Sequence, residues 1–139
     1  MILLDTNVVS ELLRARAAPE VVAWIDQQSP DELCLSAVTL AELLQGVALL
    51  PSGTRRSELG RRVAHLIAHE FDRRIIPFDA ECAVEFADVV ATRRRLGRPI
   101  TPFDAQIAAS ARVRGALLAT RNERDFEHTG LPVVNPWRS

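Results

Sequence analysis

A parallel β-sheet of four to five strands with helices on both faces, an α/β/α three-layer arrangement, is the architecture this sequence predicts. Three observations predict it. Short unbroken apolar runs recur along the chain, of the kind that suits strands buried on both faces. Longer segments with helical periodicity separate them, and strands that alternate with helices pair in parallel. Most runs end on a small polar or acidic residue, and ligands in such sheets bind outside the carboxyl ends of the strands.

Taken in order, Ile2–Leu4 is the first run and ends at Asp5. Helical patterns over residues 8–16 and 19–28 follow, divided at Pro19. Residues 33–35 form the second run, ending at Ser36, a good cap for a helix over 38–50 that stops before Pro51. Residues 55–71 place Leu59, Val63, Leu66 and Ile67 on one helical face. Ile75–Ile76 is the third run, ending near Pro77. The helical pattern over 79–96 carries Ala83, Phe86, Ala87 and Val90 and ends at Gly97. Thr101, Pro102 and Asp104 read as a cap, a first-turn proline and an acidic third position, opening a helix that stops at Gly115. Residues 116–119 form the fourth run, ending at Thr120, and Val133–Val134 a short fifth.

The 139 residues, 47% of them apolar, suit a single domain over residues 1–139. No stretch is apolar enough to span a bilayer, and residues 1–5 carry no basic or long apolar leader pattern, so a cytoplasmic location is expected. Cys34 and Cys82 are expected to be reduced, buried thiols. Net charge is −1, so no overall basic field draws nucleic acid in. All 17 basic residues are arginine. The absence of lysine excludes P-loop nucleotide hydrolysis, Schiff-base chemistry and receiver-type phosphorylation.

Taken alone, each of four acids has a local explanation. Asp5 can cap the helix behind it, Glu42 can complete a capping box with Thr39, Asp104 suits a helix dipole, and Asp125 can cap a turn before Phe126. Taken together, they fall where a parallel sheet brings all four to one rim. Four carboxylates in one pocket repel each other unless cations join them. Hard oxygen donors without His or Cys favour Mg²⁺ or Mn²⁺ over zinc. Such a site can bind phosphate oxygens and activate a water for attack on phosphorus, with one ion or two.

Four motifs in order and spacing, Leu-Leu-Asp5-Thr6-Asn7, Ser36-Ala-Val-Thr39-Leu-Ala-Glu42-Leu, Thr101-Pro-Phe-Asp104-Ala-Gln-Ile-Ala-Ala and Thr120-Arg-Asn122-Glu-Arg-Asp125-Phe126, resemble the PIN-domain nucleases across essentially the whole chain. The likeness is greatest to the VapC and FitB toxins of bacterial toxin–antitoxin pairs. That resemblance implies an α/β/α sandwich and a Mg²⁺- or Mn²⁺-dependent endoribonuclease. It implies that Asp5, Glu42, Asp104 and Asp125 are the catalytic, metal-binding acids. Thr6, Asn7, Ser36, Thr120 and Asn122 would support them. It further implies an RNA substrate, a homodimer, a small cognate antitoxin that reaches the acidic pocket, and contact with promoter DNA only through the antitoxin complex.

Arg121 and Arg124 flank Asp125 and are candidate RNA contacts. The remaining arginine pairs, at 55–56, 61–62, 73–74 and 93–95, read as solvated helix faces. Trp24 is expected in a core, whereas Trp137 suits an interface or a stacking role. His65 and His69 share a helix face without a third ligand and read as surface histidines. The apolar segments 8–28 and 38–50 serve either a core or a partner's surface. The alternative to catalysis is a silent module of the same fold that holds RNA or an antitoxin. A haloacid-dehalogenase-type phosphatase is excluded by Asp5-Thr6-Asn7 in place of Asp-x-Asp and by the missing lysine.

Overall fold

The computed structural model describes all of residues 1–139. Its five strands are β1 (Ile2–Leu4), β2 (Leu33–Ser36), β3 (Ile75–Ile76), β4 (Leu117–Ala119) and β5 (Val133–Val134). They form one sheet in the order β3-β2-β1-β4-β5, every neighbouring pair parallel. Six helices accompany them: α1 (Thr6–Leu12), α2 (Pro19–Asp26), α3 (Ala37–Ala48), α4 (Thr54–His65), α5 (Ala80–Arg95) and α6 (Pro102–Arg114).

Alternation along the strands builds two cores, one on each face of the sheet. Ile2, Leu4, Leu33, Leu35 and Ala119 point to one side, where they meet Val8, Val9, Val21, Trp24, Leu43 and Val63 from α1 to α4. Leu3, Cys34 and Leu118 point to the other, against Val89 of α5 and Ala105, Ile107, Ala108 and Ala111 of α6. Leu3, Leu4, Leu35 and Leu118 are all fully buried. Each contributes about 2–3 kcal/mol by leaving water. This two-sided burial is why these runs carry no polar residue.

The segments 8–28 and 38–50 divide between core and surface. Val8, Val9, Val21 and Trp24 are interior, whereas Leu44 and Leu49 are exposed. Both cysteines are free and buried, and burial pushes the Cys34 thiol up to about 11. Helix α1 starts two residues earlier than its periodicity suggests, because Asp5 caps it directly. The helical pattern over 55–71 holds as an α-helix only to His65 and then widens over Leu66–Glu70, with Phe71 N–H donating to Leu66 O at 2.9 Å. That wider turn puts Leu66 and Phe71 into the same core.

Gly115 ends α6 in the left-handed region, at φ 61°, with open space where a Cβ would stand. Gly115→Ala is therefore expected to lower stability through backbone strain alone, by about 1 kcal/mol, read as a shift in the denaturant midpoint. An unchanged midpoint would contradict it.

The strand order reverses between β1 and β4. The chain leaves β1 toward β2 and β3 on one side, then returns to place β4 on the other. A crevice opens at the carboxyl ends of strands at such a reversal. Asp5 and Thr120 are the first residues past those two ends.

Candidate active site

The sheet brings Asp5 and Thr120 together. Asp5 N–H donates to Ala119 O at 2.9 Å, continuing the ladder past the end of β1. The Thr120 hydroxyl then donates to Asp5 Oδ2 at 2.7 Å, and Asn7 Nδ2 donates to the same oxygen at 3.2 Å. Oδ1 caps α1 by accepting from Thr6 N–H at 2.8 Å. Three donors therefore fix the carboxyl of a residue that is only 4% exposed. Burial outweighs those donors and pushes the acid up to about 6, with the Asp104 and Glu42 charges adding to the rise.

Glu42 arrives from the far side of the cleft on α3. Ser36 caps that helix, accepting from Thr39 N–H at 2.9 Å, which sets its first turn. The Thr6 hydroxyl donates to Glu42 Oε1 at 2.6 Å and lies 3.3 Å from the Thr39 hydroxyl, so α1 and α3 are tied at the site. Asp104 stands in the first turn of α6, whose N-terminus Thr101 caps by accepting from Asp104 N–H at 3.2 Å. Its carboxyl is also raised, by burial first and by the charges of Asp125 and Glu42, against the pull of Arg93.

These groups line a cleft of about 500 Å³ formed by Asp5, Thr6, Asn7, Glu42, Asp104, Arg121, Asn122 and Trp137, with Ser10, Glu11 and Arg14. Asn122 N–H donates to Thr120 Oγ1 at 3.1 Å, closing the loop beneath it. Asp125 is placed differently. It is exposed in the short turn Glu123–Phe126 and does not line the cleft, although its charge reaches Asp104. Arg121 lines the cleft, but Arg124 does not.

None of Asp5, Glu42, Asp104 and Asp125 makes an ion pair within the chain. Three carboxylates thus face one cleft without a partnered cation. Their oxygen-only donor chemistry fits Mg²⁺ or Mn²⁺. No three His, Cys, Asp or Glu side chains are grouped closely enough to enclose an ion as they stand.

The PIN-domain family model matches residues 2–131. The chain belongs to the PIN-domain family. It is 42% identical to the VapC ribonuclease Y4jK of Sinorhizobium fredii, over 99% of this chain and 98% of that protein. It is 41% identical to toxin FitB of Neisseria gonorrhoeae, over 99% of each. A chain in the structure of FitAB bound to an IR36 DNA fragment superposes with a TM-score of 0.92 at 40% identity, covering 99% of this chain and 96% of that one.

Within this PIN domain, sequence reasoning missed two residues near the acids. Glu11, 7% exposed, also lines the cleft. It holds the 13–18 loop by accepting from Ala18 N–H at 3.2 Å and lies 3.4 Å from Arg14 Nη1. Its position in α1 looks like an ordinary surface site, and only the loop that crosses it buries it. Arg93, read as part of a solvated run, is 5% exposed. Its guanidinium donates to three carbonyls, Arg98 O at 2.6 Å, Asp125 O at 2.7 Å and Glu127 O at 2.9 Å. The reason lies in the 123–127 turn, whose Asp125 and Glu127 carbonyls face α5 and take their donor from it. The rings of His65 and His69 meet at a tilt of 40° with centroids 4.8 Å apart, and His65 faces Glu70 at 3.8 Å, away from the acidic cleft.

Proposed function

We propose that this chain is the toxin of a type II toxin–antitoxin pair, an endoribonuclease that hydrolyses RNA phosphodiesters with a divalent cation, Mg²⁺ or Mn²⁺. The observation that carries the reading is the convergence of Asp5, Glu42 and Asp104 on one cleft with none of the three in an ion pair. Likeness to a VapC ribonuclease supports the choice of RNA over other phosphoesters, and likeness to toxin FitB supports the role of a toxin.

Asp5 and Asp104, with Glu42, would hold the cation, and Asp125 would act from the rim of the cleft. When bound, a divalent cation offsets the phosphate charge and makes an attacking water more acidic. The side chains do the rest. Thr120, Asn7 and the Thr6 amide keep the Asp5 carboxyl in one orientation. The Thr6 hydroxyl does the same for Glu42, whose free oxygen remains to take a proton from water. Ser36 acts at one remove, by fixing the first turn of α3. Arg121 supplies positive charge where a phosphate enters, and Arg124 would meet the RNA farther out.

A larger groove of about 1130 Å³ lies beside the cleft. It runs between α1, α2 and α4 and carries Arg61, Arg62 and Arg74. A cavity of about 510 Å³ links the two, sharing Thr6, Ser10, Arg14 and Glu42 with the cleft and Arg62 with the groove. A small cognate antitoxin would lie along this trough and end in the acidic cleft. The FitAB structure, with its bound DNA fragment, and the structure of VapBC2 from Rickettsia felis bound to a fragment of its promoter support contact with promoter DNA through such a complex. The active species would be a homodimer acting in the cytoplasm. No helix here is long and apolar enough to cross a membrane.

The test is incubation of the purified, antitoxin-free protein with total RNA in Mg²⁺, in Mn²⁺ and in EDTA. Cleavage in the metal buffers, lost in EDTA and lost in Asp104→Asn, is the expected result. Equal cleavage by the parent and Asp104→Asn would overturn the site. Tight RNA binding with no cleavage under any condition would favour a silent binding module.

A further inference from the structure

The acidic cleft has one apolar residue in its lining, Trp137, and it comes from the segment 135–139, beyond the last motif of the site. The Arg121 guanidinium lies over the Trp137 ring, 5.0 Å from the centroid. Two cations line the cleft, Arg14 and Arg121. Arg14 is committed to Glu11, but Arg121 makes no ion pair with any acid of the chain. A flexible, exposed arginine beside several carboxylates would be expected to fold onto one of them. This one lies on an aromatic ring instead.

The backbone explains how the pair is held. Arg121 N–H donates to Asn7 Oδ1 at 3.2 Å, which ties it to the residue that also steadies Asp5. Asn135, 7% exposed, donates from Nδ2 to Arg121 O at 3.4 Å and accepts Trp137 N–H on Oδ1 at 2.9 Å. One buried amide therefore clamps both members of the stack. A second bond from Asn135 Nδ2 to Glu123 Oε2 at 3.3 Å, with the Arg138–Glu123 ion pair, pins the same segment. Trp137 is partly buried and packs against the hydrophobic core, so the ring is backed by protein.

We propose that Arg121, held over the Trp137 ring, is a shelf that receives an unpaired nucleobase of the RNA held in the acidic cleft. The proposal rests on the ribonuclease reading and names the pair of residues that would meet a base of that substrate. A guanidinium plane stacks on a base with its free face while its in-plane N–H groups meet a phosphate. A base within a duplex already has both faces covered, so only an unpaired one can use the shelf. Base stacking of this kind tolerates any sequence and is worth roughly ten- to hundredfold in affinity.

The experiment pairs changes in the protein with changes in the RNA. The probe is a 12-nucleotide single-stranded RNA that the parent cleaves, alongside the same RNA made abasic at either nucleotide flanking the scissile phosphate. Trp137→Ala and Arg121→Ala are each expected to lower kcat/KM on the intact RNA roughly ten- to hundredfold, mostly through KM, with Trp137→Phe retaining most of it. One of the abasic RNAs should be as poor for the parent as the intact RNA is for Trp137→Ala, and on it the substitutions should cost less than about twofold more. Equal losses on intact and abasic RNA would overturn the shelf. A direct measurement covers variants that fold poorly. In a Trp24→Phe, Asp104→Asn background Trp137 is the sole indole, and intact RNA should quench its emission whereas the abasic RNA should not. Quenching in a protein whose parent never cleaves RNA would keep the shelf and discard the nuclease. Cleavage by the parent without any quenching would do the reverse.

Discussion

Asp5→Asn is expected to make the protein both inactive and harder to unfold. Activity should fall at least roughly a hundredfold, because the variant removes the charge from the acid that the sheet holds most firmly. Stability should move the other way. The Asp5 carboxyl is pushed to about 6 in the fold from an ordinary 3.8. A carboxyl that is harder to ionise when folded weakens the fold as it ionises. The loss is absent below about pH 4, grows between pH 4 and 6, and is complete above that. A rise of that size corresponds to about 3 kcal/mol at neutral pH. Asn cannot ionise, and its side-chain oxygen can still cap α1. Its amide must share the space of the Thr120 and Asn7 donors, which takes back part of the gain. A rise of about 1–3 kcal/mol at pH 7.5 in EDTA is the expected result, or several degrees in Tm.

The pH profile makes the test specific. Between pH 4 and 7 the parent should lose stability that the variant keeps. Asp104 acts in the same direction as Asp5. Asp79, held low by the Cys82 amide, acts in the opposite direction but below that window. Millimolar Mg²⁺ should raise the Tm of the parent and leave that of Asp5→Asn nearly unmoved. A variant less stable than the parent at pH 7.5 in EDTA would contradict the account of the buried carboxyl.

Arg93→Met is expected to be among the most destabilising single changes outside the apolar core. The methionine has nearly the same reach, but it leaves the carbonyls of Arg98, Asp125 and Glu127 without their donor. Hydrogen bonds to a charged group contribute about 1.5–3 kcal/mol each, and water can replace some of them at this edge of the fold. A net loss of about 3 kcal/mol follows, or roughly 10 °C in Tm. Arg93→Lys should recover only part of it, since an ammonium cannot match three carbonyls in one plane. A second effect accompanies the first. Without the Arg93 charge, the Asp104 carboxyl rises further, and the turn that carries Asp125 loses its anchor on α5. A denaturation midpoint within about 1 kcal/mol of the parent would show that the three carbonyls are satisfied some other way.

The strands were legible because they are buried on both faces, which leaves continuous apolar runs with polar ends. Asp5, Glu42 and Asp104 were legible for the same reason, as residues at those ends or one helix beyond. Asp125 was placed at the rim by its order in the chain, and the fold seats it on an exposed turn just outside the lining. The buried charges were not legible. Arg93 sits in Arg93-Arg94-Arg95, and nothing local separates the inward arginine from its two neighbours. Glu11 likewise has the spacing of a surface residue on α1. In both, burial comes from a loop that arrives from elsewhere. Trp137 and Asn135 lie beyond the last strand, and only the folded chain brings them back over the cleft.

The bond between Asp5 N–H and Ala119 O has a consequence for how the protein moves. It belongs to the ladder between β1 and β4, and Thr120 N–H continues the next ladder by donating to Val134 O at 2.9 Å. The Asp5–Thr120 half of the cleft therefore cannot shift unless the middle of the sheet opens, which is tantamount to unfolding. The opposite half hangs on the starts of α3 and α6, outside the sheet ladder. The cleft is built as an anvil and a jaw. Adjustment to a bound RNA or a partner falls to Glu42 and Asp104, while Asp5 keeps the fixed point against which they close.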